Sequence, residues 1–341
     1  MKHPLPIEIV GGGLAGLSLG LALRRAGVPV TLFESGTYPR HRVCGEFIAG
    51  LDASTIGTLG LAPFLFDALR HREVAWFIHE KFSREQTLPT PALAISRHVL
   101  DARLAAAFVS AGGNLRTGNR IEGAAQSPGR VFATGRRRVR SPWLGLKIHA
   151  LDVPLMRDLE LHLGSDTYVG LARVDDRRVN VCGLFRRRPL QAQGTALLQA
   201  YLQAAGLSHL AARLAASPTD ADSFSAVAAV GFDHRVPVAS GRFSLGDACA
   251  MIPPFTGNGM AMAFQSAAIA LPILLKYTHG EITWADATHH VQTALRRHFR
   301  LRLASAAVLH PFLLQPPRQR WLAALNRTRL LPLRPLYSAL H

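Results

Sequence analysis

The stretch "IEIVGGGLAGLSLGLALRRAGVPVTLFES", residues 7–35, constrains this chain more than any other. Residues 7–10 read as a buried strand, 14–26 as an apolar helix and 29–35 as a second strand. The glycines therefore sit where a strand turns into the helix it feeds. Gly11, Gly13 and Gly16 satisfy G-x-G-x-x-G in that context, and Glu34 ends the second strand at the spacing at which an acid meets a ribose. Such a unit opens an α/β fold and binds a dinucleotide: the glycines admit a pyrophosphate to the backbone at the positive end of the helix, and Glu34 accepts from a ribose hydroxyl. A carboxylate there repels a 2′-phosphate. NAD and FAD both remain open at this point.

A second glycine-rich helix start, "GDACAMIPPFTGNGMAMAFQSA" at 246–267, bears on that choice. A simple NAD dehydrogenase has no evident use for it. FAD is long, and its ring must be held far from its adenosine, so a second set of contacts late in the chain suits a flavin. Asp247 can bond the ribityl or pyrophosphate region, and the amides of 257–260 can aim a positive helix end at the flavin.

Between these motifs the pattern changes. Residues 96–111 place Val99, Leu100, Leu104 and Phe108 on a helical stripe ended by Gly112 and Gly113. Short strands are expected at 114–118, 130–135 and 242–247. Residues 73–80, 141–150 and 159–185 alternate with period two, with Asp175-Asp176 at a hairpin turn, and a helix near 195–205 and a strand at 224–230 follow. The expected architecture is a Rossmann FAD-binding domain of glutathione-reductase type (1–48, 93–140 and 236–275), an inserted, mostly antiparallel substrate domain (49–92 and 141–235) and a basic helical C-terminal region (276–341).

With these motifs on hand, the chain resembles the flavoprotein superfamily of geranylgeranyl reductases and aromatic hydroxylases. The likeness rests on "GGGLAG", "RVCGEF", "ISRHVLD", "ATG" and the segment at 246–267. It implies pyrophosphate contact at Gly11, Gly13 and Gly16, ribose contact at Glu34, FAD contacts at Arg42, Arg97 and Asp247, and Gly257, Gly259 and Met260 beside the flavin ring. It also implies NAD(P)H as a transient donor. The chain departs from the hydroxylases in two places: Thr134-Gly135 replaces their Asp-Gly pair, and Ala250 stands where they usually carry His. The run "PPFTGNGMAMAFQS" is closer to the reductases, and the halogenase WxWxI signature is absent. Double-bond reduction of an apolar polyketide- or isoprenoid-like substrate is the leading expectation, hydroxylation with O2 the alternative, and a non-catalytic flavin- or polyanion-binding protein the reading from another class.

Three residues are candidates for chemistry. Cys44, placed near the flavin by the resemblance, donates a proton or merely fills an apolar gap. Lys147 and His149, two apart in "GLKIHA", share a strand face, where they suit an anionic or carbonyl-bearing substrate or simply meet solvent. Glu46 and Tyr168 are weaker candidates. Cys44, Cys182 and Cys249 form no CxxC pair, so neither a disulfide framework nor a metal site is expected. The net charge is +17, carried almost wholly by arginine. Arg296, Arg297, Arg300, Arg302, Arg318, Arg320, Arg327 and Arg329 interleave with Leu and Phe in a tail with no acid after Asp286. That tail is a candidate to dock an anionic membrane, a carrier protein or a carrier-bound substrate, or else a solvated face; specific nucleic-acid binding is not expected. The opening residues leave no room for an apolar signal core, so the expected location is the cytoplasm, with peripheral attachment to the inner membrane face as an option.

Overall fold

The computed structural model describes residues 3–121, 126–137, 139–233, 235–236, 241–327 and 333–340. The chain runs β1 (Ile7–Val10), α1 (Leu14–Arg25), β2 (Val30–Phe33), β3 (Phe47–Ile48), α2 (Ala53–Leu59), β4 (Leu69–Ile78), β5 (Lys81–Ala94), α3 (Arg97–Ser110), β6 (Asn114–Arg116) and β7 (Arg130–Phe132). It continues through β8 (Trp143–Leu151), β9 (Leu159–Gly164), β10 (Thr167–Arg173), β11 (Arg178–Arg186), α4 (Thr195–Ala204), α5 (Ser208–Ala215), β12 (Thr219–Ala228), α6 (Gly259–Thr278), α7 (Trp284–Leu314), α8 (Pro316–Arg327) and α9 (Leu333–Leu340).

Two sheets organise these elements. The first has order β6-β2-β1-β7 and is parallel, as a strand–helix–strand crossover requires. The second has order β12-β8-β11-β10-β9-β4-β5-β3 and is antiparallel except where β4 lies parallel to β9. Segment 242–247, expected as a strand, makes only one bridge, Ser244 to Phe132, before turning at Gly246. β5 was not expected. Pro89 and Pro91 interrupt its pattern, and they fall where the β4–β5 register slips between His71 and Glu73.

The main core lies between the parallel sheet and α1, α3, α6 and α7. Within α3, Leu100, Leu104 and Phe108 are buried as the stripe predicts, but Val99 is 38% exposed and belongs to the outer face. α6 is long and apolar enough to cross a membrane, yet much of it is buried against α1, α2 and α7. A second core joins one face of β8 and β11 to α4 and α5. On its other face the large sheet meets α7 through Tyr168, Leu184, Leu313 and Leu314. The C-terminal helices thus pack on the sheet rather than trailing from it.

Candidate functional site

The glycine loop separates two duties. Gly11 has φ +112°, and a Cβ on it would stand 2.2 Å from the Ala133 carbonyl oxygen, while one on Gly16 would stand 2.0 Å from the Gly11 oxygen. Both close the turn of β1 onto α1. Gly13 differs: a Cβ there would meet nothing within 4 Å, because the residue faces a cavity of about 1220 Å³. Glu34, at the end of β2, is buried beneath this loop. Its carboxylate accepts from the amides of Gly12 and Gly36, both at 2.9 Å, and pairs with Arg40 at 2.7 Å and Arg42 at 3.5 Å. Burial raises its pKa, but the Gly36 amide, the two guanidiniums and the Gly12 amide outweigh this and hold it at about 2.

Asp101 on α3 is buried and anchors two arginines at the cavity wall. It accepts from Arg97 Nε at 2.7 Å and Nη2 at 2.9 Å, and from Arg42 Nε at 3.0 Å. Arg42 Nη2 also donates to the Gly12 oxygen at 3.4 Å. Asp247 lines the same wall. Burial pushes its carboxyl up to about 6, against the pull of Arg97 and Arg42.

The second motif faces the first across this space. Gly257 has φ +68°, and a Cβ there would stand 2.3 Å from the Phe47 ring. Gly259 opens α6 with no atom within 4 Å of its Cβ position, and Met260 follows it along the cavity. Asn258 Nδ2 donates to the Leu340 oxygen at 2.8 Å, tying α9 to this helix start. Two helix N-termini, α1 and α6, therefore face one cavity, an arrangement suited to a molecule carrying negative charge at two places.

From there the cavity runs over the large sheet. Val74, Trp76, Leu161 and Tyr168 line its floor, and Leu309 and Phe312 of α7, Leu322 of α8 and Tyr337 of α9 line its other wall. Tyr168 is buried with its hydroxyl 3.4 Å from His310 Nε2, and burial raises its pKa. Sequence reasoning did not expect the C-terminal helices as a wall. Their apolar side chains read as generic amphipathic helix, and nothing local names the sheet they cover.

Of the three chemical candidates, Cys44 lines the cavity. Its sulfur accepts from the Glu46 amide at 3.4 Å, and burial raises its pKa against the opposing effect of Arg97. Lys147 and His149 require correction. They do share a face of β8, but both are fully buried under the 41–46 segment and neither lines the cavity. His149 Nε2 meets Glu46 Oε2 at 2.6 Å; Lys147 Nζ lies 3.1 Å from His41 Nδ1 and 3.7 Å from Glu46 Oε1. Ligand-type atoms of His41, Glu46 and His149 fall within 4.8 Å of one another, and the Lys147 ammonium shares that space as the local positive charge. The period of a strand says which residues share a face, not what covers it.

The tail also needs correction at one position. Arg302 is buried, donating to Gln265 Oε1 at 2.7 Å, and Gln265 in turn donates to Asp52 at 3.1 Å. Arg297, Arg300, Arg318 and Arg320 are exposed and Arg296 is half-buried. Arg329 lies outside the described residues, as does the side chain of Arg327.

Residues 9–45 match the family of NAD(P)-binding Rossmann-like domains. The menaquinone reductase of Mycobacterium tuberculosis is 33% identical over 66 residues, 19% of this chain and 16% of that protein. The menaquinone reductase of Mycolicibacterium smegmatis is 25% identical over 141 residues, 39% of this chain and 34% of that protein. The chain thus spans between about a sixth and a third of the length of these relatives. Similarity to solved structures extends much further. p-Nitrophenol 4-monooxygenase PnpA from Pseudomonas putida superposes with TM-score 0.74 at 14% identity, covering 100% of this chain and 97% of that one. P. aeruginosa PqsL, solved with 2-aminobenzoylacetate, gives 0.73 at 16%, covering 93% and 98%. The myxobacterial halogenase CndH, described as a variant of the FAD-dependent halogenases, gives 0.72 at 16%, covering 92% and 84%. With a Rossmann-like start, an inserted antiparallel sheet and a helical end, this chain has the fold of the flavin-dependent monooxygenases and halogenases.

Proposed function

We propose that the protein is an FAD-dependent oxidoreductase that takes hydride from NAD(P)H and reduces a carbon–carbon double bond in an apolar, polyketide- or isoprenoid-like substrate. One observation carries the cofactor: the N-termini of α1 and α6 face one cavity whose wall includes Gly13, Gly45, Gly135 and Gly259, at each of which a Cβ would meet nothing within 4 Å. These are openings for a large planar and phosphorylated ligand, not packing constraints. Gly11, Gly13 and Gly16 would hold the pyrophosphate, Glu34 the ribose, and Arg42, Arg97 and Asp247 the polar middle, with Gly257, Gly259 and Met260 beside the ring.

Bound there, FAD would supply hydride transfer, which the protein's own side chains cannot perform. The chain supplies a proton and a dry, shaped space. Cys44 and Tyr168 both line the cavity, and burial keeps the thiol and the hydroxyl protonated. Either can deliver the proton that completes reduction at the second carbon. α7, α8 and α9 wall one side of the cavity with Leu309, Phe312, Leu322 and Tyr337, which shields that side from water. The local kinship with menaquinone reductases supports reduction, as does the missing Asp-Gly pair at Thr134-Gly135.

The full-length likeness to p-nitrophenol 4-monooxygenase supports the second reading, hydroxylation with NAD(P)H and O2. Anaerobic titration with NADPH, followed by addition of a polyunsaturated acceptor, separates the two. Reoxidation of the flavin without oxygen supports reduction; a requirement for O2, with labelled oxygen in the product, establishes the monooxygenase instead.

The proposed partner of the tail is an anionic bilayer, met peripherally from the cytoplasmic side. Arg297, Leu301, Ala304 and Val308 form an exposed stripe along α7, with Leu301 64% and Val308 68% exposed, and Trp321 on α8 is 70% exposed beside Arg318 and Arg320.

A further inference from the structure

Arg84 is a charged residue on the largely apolar wall that the large sheet presents to the cavity. In β5, Arg84, Gln86 and Leu88 alternate onto one face, and their cross-strand neighbours on β4 are Trp76, opposite Arg84, and Val74, opposite Gln86. All five residues line the cavity. Among the described residues the half-buried Arg84 side chain makes no hydrogen bond or ion pair, and its Nη1 atom is buried without a partner. The arginines on the cofactor side are different, since Arg40, Arg42 and Arg97 are each paired with Glu34 or Asp101. The acids of the adjoining strand positions are already taken, Glu160 by Arg213 and His162 and Glu85 by Arg157. A buried guanidinium nitrogen without an acceptor costs free energy, and a fork of donors facing a ligand cavity fits a carboxylate.

Its place along the strand sets the shape of what it would meet. Ten residues separate Arg84 from Ala94, which pairs with Phe47, the residue packed on Gly257 at the start of α6. Residues 88–91 bulge out at the register slip, so the span is read on β4, where seven residues separate Trp76, opposite Arg84, from Leu69, opposite Ala94: at roughly 3.3 Å per residue, on the order of 20 Å of strand. An acceptor at Arg84 therefore belongs to the far end of a long molecule rather than to the phosphates bound at the glycine loops.

We propose that Arg84 recognises a carboxylate at the end of an elongated apolar substrate, with the Trp76 ring and Leu88 flanking it and the Gln86 amide as a second donor. This rests on the oxidoreductase reading for its catalytic meaning but not for the binding itself.

The test is calorimetric titration of the FAD-reconstituted protein at physiological salt with dodecanoate and with dodecan-1-ol, a neutral ligand of the same length. The flavin absorbance of each sample is recorded alongside. Wild type is expected to bind the acid about tenfold to a hundredfold more tightly than the alcohol, the range of one hydrogen-bonded charge. Arg84→Met should erase that preference while leaving the alcohol's affinity, the FAD content and Tm unchanged or Tm slightly raised, since a half-buried guanidinium with an unpartnered nitrogen is removed. Arg84→Lys should keep part of it. Equal binding of acid and alcohol by wild type, no binding of either, or a preference that survives in Arg84→Met overturns the assignment. Protein that fails to take up FAD refutes the oxidoreductase reading instead, and the Arg84 comparison can still be read on that apoprotein.

Discussion

The two ends of the cavity are built in opposite ways. At the cofactor end the walls carry the polar groups, and they come from a few short stretches of sequence, 10–15, 33–49, 119–121, 133–136 and 245–260, with Arg97 from α3. Every arginine named there has its acid, as Arg42 and Arg97 have Asp101. At the sheet end the walls are apolar, drawn from both edges of a long hairpin, the middle of the large sheet and three C-terminal helices, and the guanidinium there stands unpaired. Backbone amides presented by a turn must be neighbours in sequence, so an anion site is compact along the chain. A substrate-shaped surface needs only side chains that meet in space, and it scatters.

The sharpest break in this comparison lies within the glycine loop itself. Gly16→Val forces a Cβ into the Gly11 oxygen, so it should prevent stable folding, seen as loss of a cooperative thermal transition. Gly13→Val has room and an ordinary φ of −86°, so it should fold with a near-wild-type Tm yet retain no FAD after gel filtration. A Gly13→Val protein that stays yellow would show that the cradle is not where the cofactor lies.

The buried cluster under β8 should behave as structure. Lys147→Met leaves the Glu46 carboxylate without its nearby ammonium and should cost about 3 kcal/mol in denaturant unfolding, with FAD content per folded molecule unchanged. Loss of turnover without loss of stability would return Lys147 to the catalytic candidates.

Much of the cofactor end was legible in the sequence, and for a physical reason. The strand–loop–helix–strand at 7–35 and the helix start at 257–260 each encode their geometry in contiguous residues, and the structure brings both to one cavity. The large sheet was legible as alternation, but not its partners. Period two in β8 put Lys147 and His149 on one face without revealing that the 41–46 segment seals it. Pro89 and Pro91 disguised β5, and with it Arg84. Arg302 read as one more surface charge, whereas it reaches Gln265 inside the core. In each case the missing information was long-range packing, which no local pattern carries.

Smaller effects sharpen the contrast further. Glu34→Gln should weaken FAD retention roughly tenfold, because a charged acceptor becomes a neutral one. The same variant should change acid stability. The folded-state pKa of Glu34 is depressed to about 2, so the wild-type carboxylate contributes stability that is full above its ordinary value of 4.5 and is lost as pH falls toward 2. That contribution is about 3 kcal/mol, and the variant's unfolding free energy should lack this part of the acid slope. Weakest of all is the tail's expected attachment to anionic vesicles. Cosedimentation should be seen at low salt, fall at high salt and diminish in Leu301→Glu; absence of binding at low salt removes the membrane as its partner.

The most direct test of the central claim is reconstitution of the purified protein with FAD and, separately, with FMN, followed by desalting and an absorption spectrum. Two helix N-termini with Glu34 at the adenosine end predict one FAD retained per chain and no FMN, which lacks the adenosine and half the pyrophosphate. Protein that stays colourless with FAD, or that holds FMN equally well, contradicts the account.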